Sequence, residues 1–451
     1  MNRAQKIAPA QRLIAMMPAW LVNRLDVSET WHRFLKLASW SLVAFALDKA
    51  TMLVIVFFLA RILGATDYGR LTLAQGLVNT AQIFVVLGAG TMLARYIPAV
   101  RGEGVRRAVE VINLCALVVL GTAAVFTVGG LFGAPMIART VLALPSSSPV
   151  PYLMVAWVLL TAATSLLLTI MLSFEKGGSL GLVSLIAAGL SVAVVPLSAR
   201  VQGLMGVVTA LIIVEIVKAI LLLLLYARLL AAERVSILTP ARRADAPLLW
   251  RFGLPVFLNS ALWGPTIWLA QFIVKTRAPE GLIAVGVFGF ANSLLGAVIM
   301  ISSLTNRAAL PIQSSLHAKG AHEELRRVSW LMTLGQIGVA ALIAVPAALA
   351  APLIMVGAGQ DFAPYWPVLI IMIAAGVVIA GQTPLGNYLL VYHRPYFIFI
   401  TLLPWAALLM GSAVLWADKG PYSLAFGLLA ASVLRSALFY YGWRRTPGRT
   451  E

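Results

Sequence analysis

The sequence predicts an all-α, polytopic membrane protein with about twelve transmembrane helices in two six-helix lobes. Hydrophobic residues make up 61% of the chain and charged residues only 11%, whereas soluble domains usually contain roughly 25% charged residues. The hydrophobic residues are collected in long runs, and an apolar run of about 20 residues can span the hydrocarbon core as a helix. A helix is required there because each backbone polar group must find its partner within its own segment.

About twelve such runs follow one another along the chain, and only short connections separate them. The chain therefore has no length left for a folded domain outside the membrane. We place the spans at residues 39–60, 71–94, 108–132, 152–173, 180–199, 203–227, 249–274, 283–306, 328–355, 364–392, 396–416 and 422–443.

Lysine and arginine are distributed unevenly between the two ends of these spans. Of the 34 lysine and arginine residues, about 24 fall on the side of the N-terminus and about 7 on the opposite side, following the positive-inside pattern. The other three, Lys49, Lys218 and Arg435, fall inside spans. Both termini are therefore predicted to be cytoplasmic, and the net charge of +18 is explained by topology, not by nucleic-acid binding.

The segments outside the spans mark the boundaries of the two predicted lobes. Residues 1–35 contain tryptophans among basic residues, and prolines interrupt their only apolar stretch. We therefore predict that this segment lies on the cytoplasmic membrane surface and is not a signal peptide. It precedes an N-terminal lobe at 36–230, a polar cytoplasmic linker at 231–247, a C-terminal lobe at 248–444 and a cytoplasmic tail at 445–451.

The two halves of the chain contain similar segments. Residues 68–77 align without gaps with residues 285–294, so that Gly69 matches Gly286 and an amide recurs at Gln75 and Asn292. Because six spans per half is an even number, both halves would enter the membrane from the same side, related by an axis along the membrane normal. Chance similarity between apolar helices is the alternative explanation.

Charged residues inside spans are costly, at about 2.5–3.5 kcal/mol each near the middle of a helix. Glu215 and Lys218 share one helical face, either as a structural ion pair or as a site that faces a cavity. Asp48 and Lys49 are neighbours that point about 100° apart, so at least one is expected to face a cavity. Arg435 has no acidic residue at helical spacing, which indicates an anion-binding residue unless the side chain reaches the interface.

The second span has one polar face. Such a stripe is typical of a helix that lines a hydrated lumen, although hydrogen bonds between helices are the alternative. The stripe consists of Thr72, Gln75, Asn79 and Gln82. In the seventh span Trp268, Gln271 and Lys275 also share a face, with Trp263 nearby, and these rings could stack on sugars or serve only in packing.

Motifs for catalysis are lacking, so we predict no enzyme activity, cofactor or metal. The sequence contains no GxxxxGK[ST] phosphate-binding loop. The single cysteine, Cys115, lies in an apolar run and is expected to be a packed core thiol. The four histidines fall at predicted cytoplasmic ends without metal-ligand spacing: His32, His317, His322 and His393.

One segment carries a family resemblance. Residues 60–69, Ala-Arg-Ile-Leu-Gly-Ala-Thr-Asp-Tyr-Gly, join the first two spans, and Leu-Gly-Ala-Gly at 87–90 runs on into Arg95 and Tyr96. This run resembles the opening of bacterial polysaccharide flippases in the multidrug/oligosaccharidyl-lipid/polysaccharide exporter superfamily. The close resemblance covers residues 1–100, and chain size, span number and the internal repeat extend it loosely over the rest.

The resemblance implies a transporter that flips a polyprenyl-diphosphate-linked oligosaccharide across the bacterial inner membrane for surface polysaccharides such as O-antigen, a lipopolysaccharide component, or exopolysaccharide. It also implies two lobes around a cationic cavity that opens alternately to each side. Its partners would be the lipid-linked oligosaccharide, membrane lipids, a polysaccharide polymerase and other pathway proteins, with no nucleic acid. Substrate-binding candidates are Lys49, Gln75, Asn79, Arg95, Lys218, Arg307 and Arg435, and coupling-ion candidates are Asp48 and Glu215.

Three other functions remain open. A cation-coupled drug antiporter of the same superfamily would use an intramembrane carboxylate, for which Asp48 or Glu215 could serve. A peptidoglycan-precursor flippase fits less well, because that branch resembles fourteen spans. A membrane glycan ligase or polymerase would need a large outer loop, and the longest candidate, residues 133–151, is a short serine- and proline-containing turn.

Overall fold

The computed structural model describes residues 29–100, 104–174, 176–237, 239–240, 254–392 and 394–446. Within these ranges, side chains are described except at 29–50, 95, 99, 177, 254–256, 259, 301–308, 311 and 395. The predicted surface segment lies mostly outside the described residues, as do much of the linker and most of the tail.

The described residues form α-helices and two single-turn 3-10 helices, at Ala363–Tyr365 and Ala417–Lys419. In chain order the α-helices are α1 (Glu29–Val86), α2 (Ala89–Val100), α3 (Val105–Thr140), α4 (Val150–Ser173), α5 (Gly177–Ala232), α6 (Leu254–Arg277), α7 (Gly281–Ala318), α8 (His322–Leu349), α9 (Ala351–Ala358), α10 (Trp366–Val391), α11 (Pro395–Ile400), α12 (Leu402–Leu415) and α13 (Pro421–Arg445).

Helices α1 and α5 each contain two spans joined without a loop. The break is Gly64 in α1, with φ 70°, and Gly203 in α5, with φ 54°. Only glycine adopts these angles without steric cost, so each helix divides there into a first and a second arm. Nine helices of the described chain are long and apolar enough to cross a membrane. The arms of α1 and of α5 count as separate spans, and the 24-residue α6 adds one more. The described chain therefore contains about twelve spans, which confirms the predicted fold class.

Several helix ends differ from the predicted span ends. The predicted second span is 71–94, but the second arm of α1 begins directly after Gly64. The predicted third span is 108–132, but α3 continues to Thr140. Likewise, α7 continues to Ala318, beyond the predicted end at 306. Apolar composition marks only the part of a helix inside the membrane, whereas its hydrogen-bonded turns extend beyond it.

The outer surface of the helices is apolar. On α3, for example, Leu117, Leu120 and Val125 are exposed, and Phe132 is 84% exposed. A continuous apolar surface of this kind is stable in lipid and not in water. The chain is thus a multi-pass membrane protein.

The helices form two lobes, α1–α5 and α6–α13. They meet mainly where α1 packs against α6 and α7, which are its counterparts in the repeat. At one end of this contact, Phe57 and Tyr68 of α1 meet Phe290 of α7 and Phe362 of the α9–α10 connection, with ring centroids 5.3–6.2 Å apart. We call this the closed end; it also contains the α3–α4 and α6–α7 connections.

The single cysteine lies inside the N-terminal lobe. Cys115 is fully buried, and its Sγ is 3.7 Å from Sδ of Met92. This position confirms the predicted packed thiol.

Candidate functional site

A cavity of about 390 Å³ lies between the two lobes. The second arm of α1 forms one wall, α6 and α7 form the other, and Met52 and Leu53 of the first arm complete it. Its polar lining residues are Tyr68, Thr72, Gln75, Asn79, Thr80, Gln271, Asn292 and Ser293. The internal repeat thus brings its two copies together around one polar space.

The predicted polar stripe of the second span lies along this wall. Thr72, Gln75 and Asn79 line the cavity, and Asn79 is exposed to it. Gln82 lines a second pocket of about 250 Å³ farther from the closed end, and its Nε2 donates to the carbonyl of Thr161 at 3.2 Å. The stripe therefore faces polar space for most of its length, with one hydrogen bond between helices at its last member.

Helix α6 provides the aromatic part of the wall. Trp263 and Trp268 line the cavity, and Nε1 of Trp268 donates to the carbonyl of Leu73 on α1 at 3.1 Å. Gly76 permits this approach, because a Cβ there would lie 2.7 Å from Cδ1 of Trp268. Gln271, one turn along α6, is buried at the same wall.

Two amides face the cavity from equivalent positions of the repeat. Gln75 stands on the second arm of α1, and Asn292 stands at the matching position of α7. The internal repeat pairs the two amides in the sequence, but Asn292 is not among the predicted site residues. Projecting the polar stripe of the second span onto the eighth through the repeat would have identified it.

No described residue of the cavity wall carries a formal charge. The wall consists of amides, hydroxyl groups, two indoles and apolar side chains. Such a surface can bind a ligand by hydrogen bonds and ring contacts, but its described part offers no counter-ion for a phosphate or an ammonium group.

Arg435, predicted as an anion-binding residue, lies behind this wall in the C-terminal lobe. Its guanidinium carbon is 5.3 Å from the ring centroid of Trp263 and 4.9 Å from that of Phe439. Trp263 also stacks on Trp405, with centroids 4.2 Å apart. The buried Nε of Arg435 has no hydrogen-bond partner among the described residues. Arg435 is thus held by aromatic faces, and it touches a residue that lines the cavity.

The predicted pair of charges in α5 lies within the N-terminal lobe. Nζ of Lys218 is 2.8 Å from Oε1 of Glu215, and the hydroxyl of Thr164 on α4 donates to Oε2 at 2.7 Å. Both carboxylate oxygens are therefore occupied, and neither residue lines the central cavity. The geometry is that of an ion pair supported by a neighbouring helix.

The side chains of four predicted site residues lie outside the described part of the structure: Asp48, Lys49, Arg95 and Arg307. Their backbone positions are helical. Their proposed roles stay predictions.

Two histidines that flank the short α7–α8 connection lie side by side at the end of the C-terminal lobe remote from the closed end. The ring centroids of His317 and His322 are 5.6 Å apart, and Nδ1 of His322 is 2.9 Å from the hydroxyl of Tyr392. The described chain contains no group of three potential metal ligands.

Solved transporter structures have the same fold. An inward-facing conformation of a multidrug resistance MATE family transporter of the MOP superfamily has a TM-score of 0.74 at 13% identity, covering 87% of this chain and 93% of that chain. An outward-facing conformation of such a transporter has a TM-score of 0.59 at 13% identity, covering 91% and 94%. A eukaryotic MATE transporter has a TM-score of 0.62 at 14% identity, covering 92% and 96%. The chain therefore shares the fold of these solved structures.

Residues 34–317 match the family of polysaccharide biosynthesis proteins. The match covers more than half of the chain, so the chain belongs to this family. Together with the fold, it confirms the resemblance to the polysaccharide exporters of the MOP superfamily. None of the curated protein sequences matches the chain significantly.

Proposed function

We propose that this protein flips a polyprenyl-diphosphate-linked oligosaccharide across the bacterial inner membrane by alternating access, for synthesis of a surface polysaccharide such as O-antigen or exopolysaccharide. The observation that carries the proposal is the cavity wall of amides, hydroxyl groups and tryptophans, without a described charge, in a chain of the polysaccharide biosynthesis family. Amides hydrogen-bond sugar hydroxyls, and indole rings pack against the apolar faces of sugar rings.

The sugars, the polyprenyl chain and the diphosphate of such a substrate require different surroundings. The sugars occupy the polar cavity between the lobes, and the polyprenyl chain stays in the lipid. The diphosphate needs cations, which the described wall lacks. We assign it to Arg95 and Arg307, which follow the cavity-lining segments in the two repeats and stand toward the end opposite the closed end. Lys49 and Arg435 are further candidates.

The distribution of basic residues supports an orientation with both termini in the cytoplasm. The closed end then faces outward, and the second pocket, at Gln82, lies on the cytoplasmic side. A substrate assembled in the cytoplasm would enter from that side, and opening of the closed end would release it.

A cation-coupled drug antiporter is the second candidate, and the intramembrane carboxylate of Glu215 is the observation that favours it. Glu215 pairs with Lys218 and Thr164 inside the N-terminal lobe, so it does not stand where a cationic drug would lie in the central cavity. The uncharged wall fits sugars better. Asp48 is the other carboxylate candidate.

The test is a deletion strain that carries the wild-type gene, a Gln75→Leu/Asn292→Leu double variant or the control Ser147→Ala, which changes an exposed loop residue at the closed end. We expect the deletion strain to accumulate lipid-linked oligosaccharide on the cytoplasmic face, as detected with an impermeant glycosidase on inverted and right-side-out vesicles. The wild type and the control restore surface glycan, whereas the double variant restores much less of it.

Normal surface glycan in the deletion strain would overturn the proposal. Drug efflux that rises with expression, without any effect on glycan, would identify the antiporter instead. Joining of glycans by the purified protein would identify an enzyme.

A further inference from the structure

Two charged side chains of the C-terminal lobe contact two helix ends of the N-terminal lobe at the closed end. The carboxylate of Asp361, in the α9–α10 connection, accepts a hydrogen bond from the backbone N–H of Ala65 at 3.3 Å. The ammonium group of Lys275, near the end of α6, donates to the backbone carbonyl of Thr140 at 2.7 Å.

Each charge has the sign that its helix end prefers. Ala65 is the first residue after the break at Gly64, so its N–H belongs to the start of the second arm of α1, where donors lack a helical partner and the helix dipole is positive. Thr140 is the last residue of α3, where carbonyls lack a partner and the dipole is negative. An anion at the first end and a cation at the second are both stabilising.

The glycine at the helix break leaves room for the carboxylate of Asp361 beside the backbone. Gly64 has φ 70°, and a Cβ there would lie 3.3 Å from Oδ2 of Asp361. The helix break that divides α1 therefore also leaves room for the carboxylate at the new helix start.

We propose that Asp361 and Lys275 form a latch that holds the closed end shut and must release before the cavity opens on that side. The latch joins the lobes at two separate points, so a rotation of one lobe against the other breaks both contacts. Lys275 lies one turn beyond Gln271 of the cavity wall on the same face of α6. A ligand that displaces α6 therefore acts directly on the Lys275 contact. The proposal requires only alternating access and does not depend on the identity of the substrate.

The latch can be tested by the rate at which a thiol in the cavity is modified through the closed end, since this rate is proportional to the fraction of open molecules. Ala297→Cys places a thiol on the half-buried cavity wall, and the native Cys115 is buried. A membrane-impermeant maleimide is applied to right-side-out and to inverted vesicles without substrate. A separate reporter, Ser147→Cys in the exposed α3–α4 connection, shows which preparation presents the closed end.

In that preparation we expect Asp361→Asn and Lys275→Gln each to accelerate modification about two- to fivefold, the range of a single charge at a helix end, and the double variant about tenfold. Asn keeps the shape of Asp and Gln keeps a polar chain, so the variants should fold. Arg277→Gln is the matched control, because Arg277 is an exposed cation two residues from Lys275 on α6. Lys275→Arg should retain the wild-type rate.

Because Asp361 is exposed, high salt should also accelerate the wild type and leave the double variant nearly unchanged. A wild-type rate in the double variant overturns the latch, as does equal acceleration by Arg277→Gln. Since no substrate is present, either result leaves the proposed transport function untouched, and loss of glycan export in cells would not by itself affect the latch.

Discussion

Gly69 and Gly286 pack reciprocally across the interface between the lobes. A Cβ at Gly69 would overlap the carbonyl oxygen of Leu282, and a Cβ at Gly286 would overlap the carbonyl oxygen of Ala65. Each Cβ would also lie 3.1 Å from the backbone nitrogen of the other glycine. Since Ala65 and Leu282 occupy matching positions of the repeat, the two glycines lie on opposite sides of a pseudo-twofold axis that passes between them. This symmetry supports the internal duplication over chance similarity.

The first prediction concerns this crossing. Gly69→Ala and Gly286→Ala place a methyl group against backbone, which cannot change rotamer, so the second arm of α1 and α7 must separate. We expect each variant to lose about 1–3 kcal/mol of stability, the usual cost of overpacking. Thermal unfolding of the purified protein in detergent measures this loss.

Gly121→Ala is the control for the crossing, because a Cβ at Gly121 meets no atom within 4 Å. This variant should be neutral or slightly stabilising, since alanine favours a helix over glycine. Equal melting temperatures for the Gly69 and Gly121 variants would show that the close approach is not needed.

The second prediction concerns the two facing amides. Gln75→Leu and Asn292→Leu each remove hydrogen-bonding groups from the cavity wall while keeping a similar volume. We expect each to weaken binding of a lipid-linked oligosaccharide about two- to tenfold, the effect of one typical hydrogen bond. The measurement is binding or transport in proteoliposomes, with expression checked by gel filtration. Unchanged transport in the double variant would remove both amides from the site.

The third prediction concerns Arg435. Its guanidinium contacts Trp263, which lines the cavity, and it has no acidic partner among the described residues. We expect Arg435→Ala to abolish export with the protein still inserted and abundant. Arg435→Lys should keep part of the activity, because lysine retains the charge and loses the planar fork. Arg445→Ala, which changes an exposed arginine at the end of the same helix, is the control. Full export by the alanine variant would exclude a role in substrate binding.

The fourth prediction concerns Glu215 and Lys218. Removing one member of a buried ion pair leaves an uncompensated charge and typically costs about 3–5 kcal/mol. Because both residues lie in a membrane-spanning helix and form this ion pair, we expect a loss of about this size for Glu215→Leu or Lys218→Leu alone. The Glu215→Leu/Lys218→Leu double variant should recover most of this stability, as measured by thermal unfolding.

The same double variant separates the two interpretations of the pair. If the pair is only structural, transport by the recovered protein should be near the wild-type level. A stable but inactive double variant would instead support Glu215 as a coupling residue.

The sequence by itself determined the fold class, because the cost of an unpaired backbone group in lipid leaves only helices for long apolar runs. It also determined which residues share a helix face. The stripe of Thr72, Gln75 and Asn79 follows from 3.6 residues per turn, and the structure places these side chains on one cavity wall. The pairing of Glu215 with Lys218 follows from the same local geometry.

Only the tertiary structure decided which helices face each other. It brought Asn292 and Gln271 to the wall opposite Gln75, placed Arg435 against Trp263 and joined Lys275 to a backbone carbonyl of Thr140. The periodicity of a helix is a local property that the order of side chains records. Contacts between helices far apart in the chain depend on how their surfaces pack. A backbone carbonyl that accepts a hydrogen bond in such a contact cannot be predicted from the amino-acid sequence.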